Sequence, residues 1–215
     1  MFLAIDTSLG TSVAVVEDDG VIVAEASSDN PLGHAEVIGD LLARVVGEAS
    51  APLTHVASGM GPGPFTGLRV GIAAARTFAL GRALPVVPVP SHDAVALGVL
   101  LQRAIIDGAD AAPERFAVVT DARRREFAYS VFEGLDDDGL PVRTDGPALA
   151  PRDDLDGIVA ELRAVRIDAA SVPATMIALM AARAVAARRK LTSSEPLYLR
   201  TPDVTVGAVR KRVRT

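Results

Sequence analysis

Three stretches of the chain concentrate residues that could do chemistry. Asp6-Thr7-Ser8 places an acid and two hydroxyls at the end of an apolar run. A strand ending this way, before a tight turn, can bind a phosphate or a hydrated metal through backbone N–H groups and side-chain oxygens. The same residues also suit an Asx turn that simply ends a strand. The second stretch is Gly61-Pro62-Gly63-Pro64-Phe65-Thr66-Gly67. Its glycines let backbone N–H groups approach a ligand, its prolines stiffen the turn, and it feeds a helix N-terminus, which favours anions. No lysine follows the glycines, so it is not a Walker A loop. A rigid strand-to-helix turn is the alternative. The third stretch, Asp121-Ala122-Arg123-Arg124-Arg125, stands where a two-lobed ATPase needs a second phosphate loop of Asp, glycines and Thr. Bulky side chains there would fill the space in which backbone should meet phosphate.

Other chemistries are narrowed by composition. The chain has no cysteine, which excludes disulfides, thiolate catalysis and cysteine-ligated zinc. Its three histidines, His34, His55 and His92, are widely spaced and form no H-x-x-x-H pair, so no metal site is expected. They are read as surface or capping residues, at a helix start, before a strand and in a helix first turn. There is no G-x-S-x-G elbow for a serine hydrolase, and no catalytic residue is assigned. A net charge of -5 argues against an autonomous nucleic-acid binder. Two Tyr, six Phe and no Trp make a poor stacking platform. The basic clusters Arg123 to Arg125 and Arg188-Arg189-Lys190 could touch a nucleic acid within a larger complex, but a solvated face is the favoured reading.

These residues need a frame. Phe2 to Asp6, Thr11 to Glu17 and Val21 to Ala26 read as an antiparallel meander, with a hairpin at Asp18-Asp19-Gly20. Val37, Ile38, Leu41, Leu42, Val45 and Val46 recur at helical spacing, predicting a helix from about Gly33 or His34 to Gly47. A strand over Val56 to Met60, a helix from about Thr66 to Gly81 and a short strand over Pro85 to Pro90 follow. Ser91 caps a helix to about Arg103, with Asp93 in its first turn. Gly108 to Pro113 marks the expected boundary between an N-terminal lobe, 1–108, and a smaller one, 109–215. The second half holds strands over Arg115 to Thr120 and Glu126 to Glu133, a turn at Asp136-Asp137-Asp138-Gly139, and helices over Leu155 to Arg163 and Pro173 to Lys190. It ends with a strand or extended segment over Pro196 to Arg200 and a basic tail, Arg210-Lys211-Arg212-Val213-Arg214. The order predicts an α/β chain of the actin/sugar-kinase/heat-shock ATPase (ribonuclease H-like) superfold, its second lobe a reduced copy. Met1 to Ile5 meets Asp6 with no basic flank, so no signal peptide is expected. No stretch is long and apolar enough for a bilayer, and a cytoplasmic location is expected.

Taken together, Ile5-Asp6-Thr7-Ser8 and Gly61-Pro62-Gly63-Pro64-Phe65-Thr66-Gly67-Leu68-Arg69-Val70-Gly71 resemble the TsaB (YeaZ) family's opening strand and G-x-G-P-G-S-F-T-G-[VL]-R-[IV]-G loop. Pro64 stands where Ser is usual, and Met60 at a position often basic. Asp121-Ala122-Arg123 resembles the family's D-A-R, and Glu195-Pro196-Leu197-Tyr198-Leu199-Arg200 its E-P-x-Y-L-R. Order and spacing agree along nearly the whole chain, with a short segment from Arg163 to Val172. The resemblance implies a required, non-catalytic partner in threonylcarbamoyladenosine synthesis on tRNA. It pairs with the catalytic paralogue TsaD, is joined by the ATPase TsaE, and touches tRNA through the complex. It has no cofactor of its own; ATP and a metal ion are expected on the partner subunits. An autonomous ATPase of the same superfold is the competing reading.

Gly67, Gly71 and Ala75 at four-residue steps make a smooth helix ridge open to close approach. These helices could simply bury each other. The resemblance implies pairing with the paralogue's equivalent helices, or with a second copy when alone, through His34, Val37, Ile38, Leu41, Leu42, Val45, Gly67, Gly71, Ala74, Ala75 and Phe78. Asp6, Thr7, Ser8, Gly61, Gly63, Thr66 and Gly67 would form any residual nucleotide loop. The arginines after Asp121 favour reading that loop as a rigid entry that aims the following helix at a partner.

Overall fold

A computed structural model describes residues 1–30, 33–107 and 114–200. The apolar opening Phe2–Asp6 forms β1, buried at every position, because it lies in the centre of a sheet. Thr11–Val16 (β2) and Ile22–Ser28 (β3) extend that sheet antiparallel on one side. His55–Gly59 (β4) and Val86–Val89 (β5) extend it parallel on the other, giving the order β3-β2-β1-β4-β5. Between these strands run helices α1 (His34–Gly47) and α2 (Phe65–Arg82), and α3 (Ser91–Asp107) follows β5.

The second sheet repeats this wiring. Phe116–Asp121 (β6), Glu126–Leu135 (β7) and Pro141–Pro151 (β8) form an antiparallel meander, and Val165–Asp168 (β9) joins β6 in parallel. The order β8-β7-β6-β9 matches the first four strands of the first sheet. Helix α4 (Leu155–Glu161) precedes β9 and α5 (Ala174–Ala186) follows it. The second half is therefore a copy that stops one strand and one helix short.

Five layers result. Ile38, Val45, Ala75 and Ala79 of α1 and α2 cover one face of the first sheet with Leu3, Ile5, Val13 and Val15. The other face, carrying Phe2, Ala4, Ala14 and Val16, meets α5 through Ile177, Ala178 and Ala181. The same core continues through Val95 and Leu97 of α3 into Phe116, Val118 and Phe132 of the second sheet. Helix α4 closes the far side on Val119 and Val131. The alanine-rich composition serves this stack: small side chains let α5 lie close to the sheet it covers.

The structure departs from the expected elements in three places. Strand β8 carries Pro141, Pro147 and Pro151 around Gly146, in a stretch to which the sequence reading assigns no element. It is an edge strand with shifted register against β7, and an edge tolerates proline because one side of its backbone has no ladder to fill. Strand β9 is only four residues long, too short for its alternation to stand out. Pro196 to Arg200 is not a strand; it is an irregular segment laid across the molecule. The loop at 108–113 and the tail at 210–214 lie outside the described residues. Among the described residues no helix is long and apolar enough to cross a membrane.

One turn is conformationally costly. Arg123, Arg124 and Arg125, between β6 and β7, have φ of 65°, 54° and 62°. The Glu126 N–H closes it on the Arg123 carbonyl at 3.0 Å. Left-handed backbone costs a non-glycine residue about 1–2 kcal/mol, and a glycine pays back about 0.5–1 kcal/mol of that in chain entropy. Arg125→Gly is therefore expected to stabilise the protein by about 0.5–1 kcal/mol, read as a higher urea midpoint at unchanged slope. A lower midpoint would mean that the Arg125 side chain holds the turn by a contact of its own.

Candidate functional site

The Asp6-Thr7-Ser8 turn is a knot rather than an open cradle. The Ser8 N–H donates to Asp6 Oδ1 at 2.7 Å, which is the Asx turn. The Ser8 hydroxyl donates to Asp6 Oδ2 at 3.0 Å and the Ser91 hydroxyl to the same oxygen at 2.6 Å. Ser91 also accepts the Gly61 N–H at 3.0 Å, and its own N–H returns to the Gly61 carbonyl at 2.8 Å. Burial pushes the Asp6 carboxyl above the usual carboxylate range, and the bonds from Ser91 and Ser8 work against that rise. Gly59 is obligatory beneath it: a Cβ there would lie 1.8 Å from Asp6 Oδ2. At Gly63 a Cβ would lie 2.8 Å from the Ser8 Cα, so the loop packs directly on the turn.

Thr7 performs the matching task on α2. Its hydroxyl donates to the Gly67 carbonyl at 2.7 Å and accepts the Gly71 N–H at 3.1 Å. It thus bridges the two ends of one helical rung, a position open only because neither residue carries a side chain. A Cβ on Gly71 would meet Thr7 Oγ1 at 2.2 Å, and one on Gly67 would meet the Thr7 carbonyl at 2.8 Å and His34 Nε2 at 3.0 Å. Thr66 is exposed at the start of α2. The Thr7 and Ser8 hydroxyls, the Asp6 carboxylate and the Gly61 N–H are thus all paired inside the chain.

The residues expected at a partner interface divide in two. Ile38, Val45, Gly67, Gly71, Ala75 and His34 are buried inside the chain, so the small-residue ridge packs on β1 and α1. Val37, Leu41, Leu42, Ala74 and Phe78 are half-buried and keep apolar surface towards solvent; Leu80 on the same helix layer is 84% exposed.

Two histidines expected as surface or capping residues are in the core. His34 is buried with Nδ1 2.8 Å from Thr11 Oγ1. His92 is buried between Ser130 Oγ and Thr120 Oγ1, each 2.9 Å from a ring nitrogen. Only His55 is partly open, stacked on Phe2 at 4.7 Å. His34 is enclosed between Thr11 at the start of β2 and Gly67 of α2. For His92 the reason is the shared core: the first turn of α3, which should face solvent in a one-sheet lobe, faces the second sheet. Asp93 next to it takes Arg143 of β8 in a two-pronged pair at 3.0 and 2.8 Å. Burial moves the Asp93 carboxyl up, and Arg143 partly offsets this. So Ser91, His92 and Asp93 tie α3 to the Asp6 turn, to β6 and β7, and to β8. Sequence reading gave them only capping roles; the signal it lacked was the long-range pairing of β8.

Across from the Gly61–Gly67 loop stands the arginine turn. Asp121 accepts the Arg123 N–H at 2.8 Å and pairs with Arg152 at 3.0 Å. Slight burial would raise its carboxyl, but those two partners outweigh it and hold the group below the usual range. The segment before Arg200 straps the two sides together. The Leu197 N–H reaches the Met60 carbonyl at 2.8 Å, and Leu197 and Tyr198 cover Met60, Leu68 and Ile72. This explains an apolar Met60. Arg69 donates to the Tyr198 hydroxyl at 3.1 Å and stacks on Phe65 at 3.7 Å, while Arg200 pairs with Glu126. Among the described residues no three His, Cys, Asp or Glu side chains group as a metal would require.

Two measurements check this geometry. Gly71→Ala should destabilise the protein by about 2–3 kcal/mol through overpacking and loss of the Thr7 bridge, despite the higher helix propensity of alanine. Gly39→Ala, on α1 with open space around it, should instead gain up to about 1 kcal/mol. The second concerns His92, whose pKa burial, with the nearby Arg143 charge, lowers from 6.5 to about 3. Its neutral form is the folded form, so its contribution is complete above pH 6.5 and is lost as pH falls towards 3. The stability gap between the parent and His92→Gln should therefore shrink by about 2–3 kcal/mol between pH 7 and 4.5, read by urea denaturation. A constant gap would mean that His92 is not buried neutral.

The chain has known relatives. Residues 13–141 match the family model described as TsaD, tRNA N6-adenosine threonylcarbamoyltransferase. An uncharacterized protein of Mycobacterium tuberculosis is 35% identical over 159 residues, 72% of this chain and 66% of the relative. The Escherichia coli tRNA threonylcarbamoyladenosine biosynthesis protein TsaB is 30% identical over 141 residues, 64% of this chain and 57% of that one. The chain thus spans less than two thirds of the length of these curated relatives. The solved structure of YeaZ from Pseudomonas aeruginosa superposes with a TM-score of 0.66 at 25% identity, covering 92% of this chain and 99% of that one. The fold is accordingly that of YeaZ, with the repeated strand order expected of the α/β actin/sugar-kinase/heat-shock ATPase superfold, and, with the TsaD model over more than half of its residues and the TsaB and YeaZ matches beside it, the chain belongs to the TsaB (YeaZ) family.

Proposed function

We propose that this chain is a non-catalytic subunit that binds TsaD and supports threonylcarbamoyl transfer to the adenosine next to the anticodon of tRNA. It would act in the cytoplasm, with TsaE joining the pair, tRNA reached through the complex, and ATP and metal held by the partner subunits. The observation that carries this reading is the contrast between the two sides of β1. On the cleft side, the polar groups of the Asp6 turn and the Gly61 loop are bonded to one another. On the helix side, α1 and α2 keep Val37, Leu41, Leu42, Ala74 and Phe78 half-exposed after covering the sheet. A helix layer with apolar surface on a further face suits a partner helix, whether from TsaD or, when the chain is alone, from a second copy.

Leu80→Asp and Leu42→Glu are expected to weaken TsaD binding at least tenfold in titration calorimetry, with circular dichroism and melting unchanged for Leu80→Asp. Arg188→Glu, outside this helix layer, should bind as the parent does. Unchanged affinity in both helix variants would remove the interface. In reconstitution, tRNA, threonylcarbamoyl-adenylate and TsaD should yield modified tRNA only when this protein is added. Equal yield without it, or robust ATP turnover by the isolated chain, would contradict the role.

A further inference from the structure

Between the Gly61–Gly67 loop and the arginine turn lies a cavity of about 330 Å³. Three separate parts of the chain wall it. Pro62, Gly63, Pro64 and Phe65 come from the first half, Thr120 to Arg124 with Ala128 and Leu149 from the second sheet, and Tyr198 to Arg200 from the strap. Its walls are mainly apolar, and its volume is in the range of small-molecule sites, which bury an apolar body and fix it with a few polar groups. The charged groups at its wall are Arg123, Arg124, Arg200 and Asp121. Asp121 is already matched by Arg152 and the Arg123 N–H, and Arg200 by Glu126. The Arg123 charge also faces Asp121, so Asp121 with Arg152 and Arg123 carries one positive charge in excess at the cavity wall.

The turn that presents these arginines is also strained and held. Three consecutive non-glycine residues stand at positive φ, a conformation that persists only where surrounding structure imposes it and that clusters at ligand sites. Here it is pinned from three directions: by Asp121 on the Arg123 N–H, by the Arg152 N–H on the Arg125 carbonyl at 3.0 Å, and by Arg200 on the Arg123 carbonyl at 3.3 Å. Glycine would fill this turn without strain. Side chains are present instead, and that of Arg123 lies at the cavity wall.

We propose that this cavity binds a small organic anion, with a flat apolar body against Pro64, Phe65 and Leu149 and a single carboxylate or phosphate beside Arg123. The site differs from the Asp6 turn, whose groups are turned inward, and it does not depend on the assignment of a TsaD-binding role. A charge-assisted bond to a guanidinium adds about 1.5–3 kcal/mol, so a charged ligand should outbind its neutral counterpart at least tenfold.

The test uses two matched pairs with the full chain: AMP against adenosine, and 3-phenylpropionate against its amide. The first pair reports a phosphate and the second a carboxylate. Amide chemical-shift perturbation should locate binding at residues 62–65, 120–124 and 198–200, and the charged member of at least one pair should bind tenfold or more tighter. Arg123→Gln, at an exposed position, should remove that preference and leave the neutral member unchanged. Leu149→Trp should fill the cavity and abolish binding of both. Equal affinities within both pairs, no binding by any of the four, or shifts that persist in a folded Leu149→Trp would each overturn the proposal.

Discussion

The Asp6 carboxylate is the constraint around which the molecule is assembled. It sits in the core at the end of the central strand and needs three hydrogen bonds to be tolerated there. Supplying them brings together the turn after β1, the first residue of α3 and, through Ser91, the Gly61 loop. Once Ser91 is fixed, its neighbours have no freedom. His92 must lie between Thr120 and Ser130, and Asp93 must meet Arg143. A single buried acid thus sets the angle between two sheets by way of three consecutive side chains. Such networks give rigidity when every member is satisfied, as the members named here are.

Rigidity at the cleft bears on what the fold can do. Loops and lids that open and close set the pace of many enzymes. Here the elements at the mouth are tied across it, by the α3 tripeptide deep inside and by the strap at the rim. The α2 helix gains most from this. Its N-terminus is keyed to Thr7, its flank is covered by Leu197 and Tyr198, and its remaining apolar surface points outward in one defined orientation. A surface held that way loses little entropy on association, which is the advantage of preorganisation.

How much of this could be read from residues alone follows from the range of each interaction. The opening meander, α1, α2 and the Gly61 loop rest on local periodicity and turn chemistry, and they stand within a residue or two of where pattern places them. The small residues of α2 were also visible, but their purpose was not. Gly67 and Gly71 read as a ridge for an outside helix, whereas a threonine sixty residues earlier in the chain occupies that space. The same holds for His34, enclosed by Thr11 and Gly67, and for His92, whose burial depends on which sheet faces the helix it begins. Strand β8 hid behind prolines that only an edge position excuses. Long-range partners, not local preferences, decided each of these.

The interleaving of α3 and α5 between the sheets has a consequence for the chain as it is made. The first sheet is complete in sequence by Val89, yet the helix that covers Phe2, Ala4 and Ala14 is Ala174–Ala186. A ribosome emits about 5–20 residues each second, so one face of that sheet waits several seconds for its cover. During that interval the nascent chain presents an uncovered apolar sheet face, and α3 has no second sheet to lie against. Among the described residues the shared core is complete only once Ala174–Ala186 has emerged, which makes α5 the step that closes it.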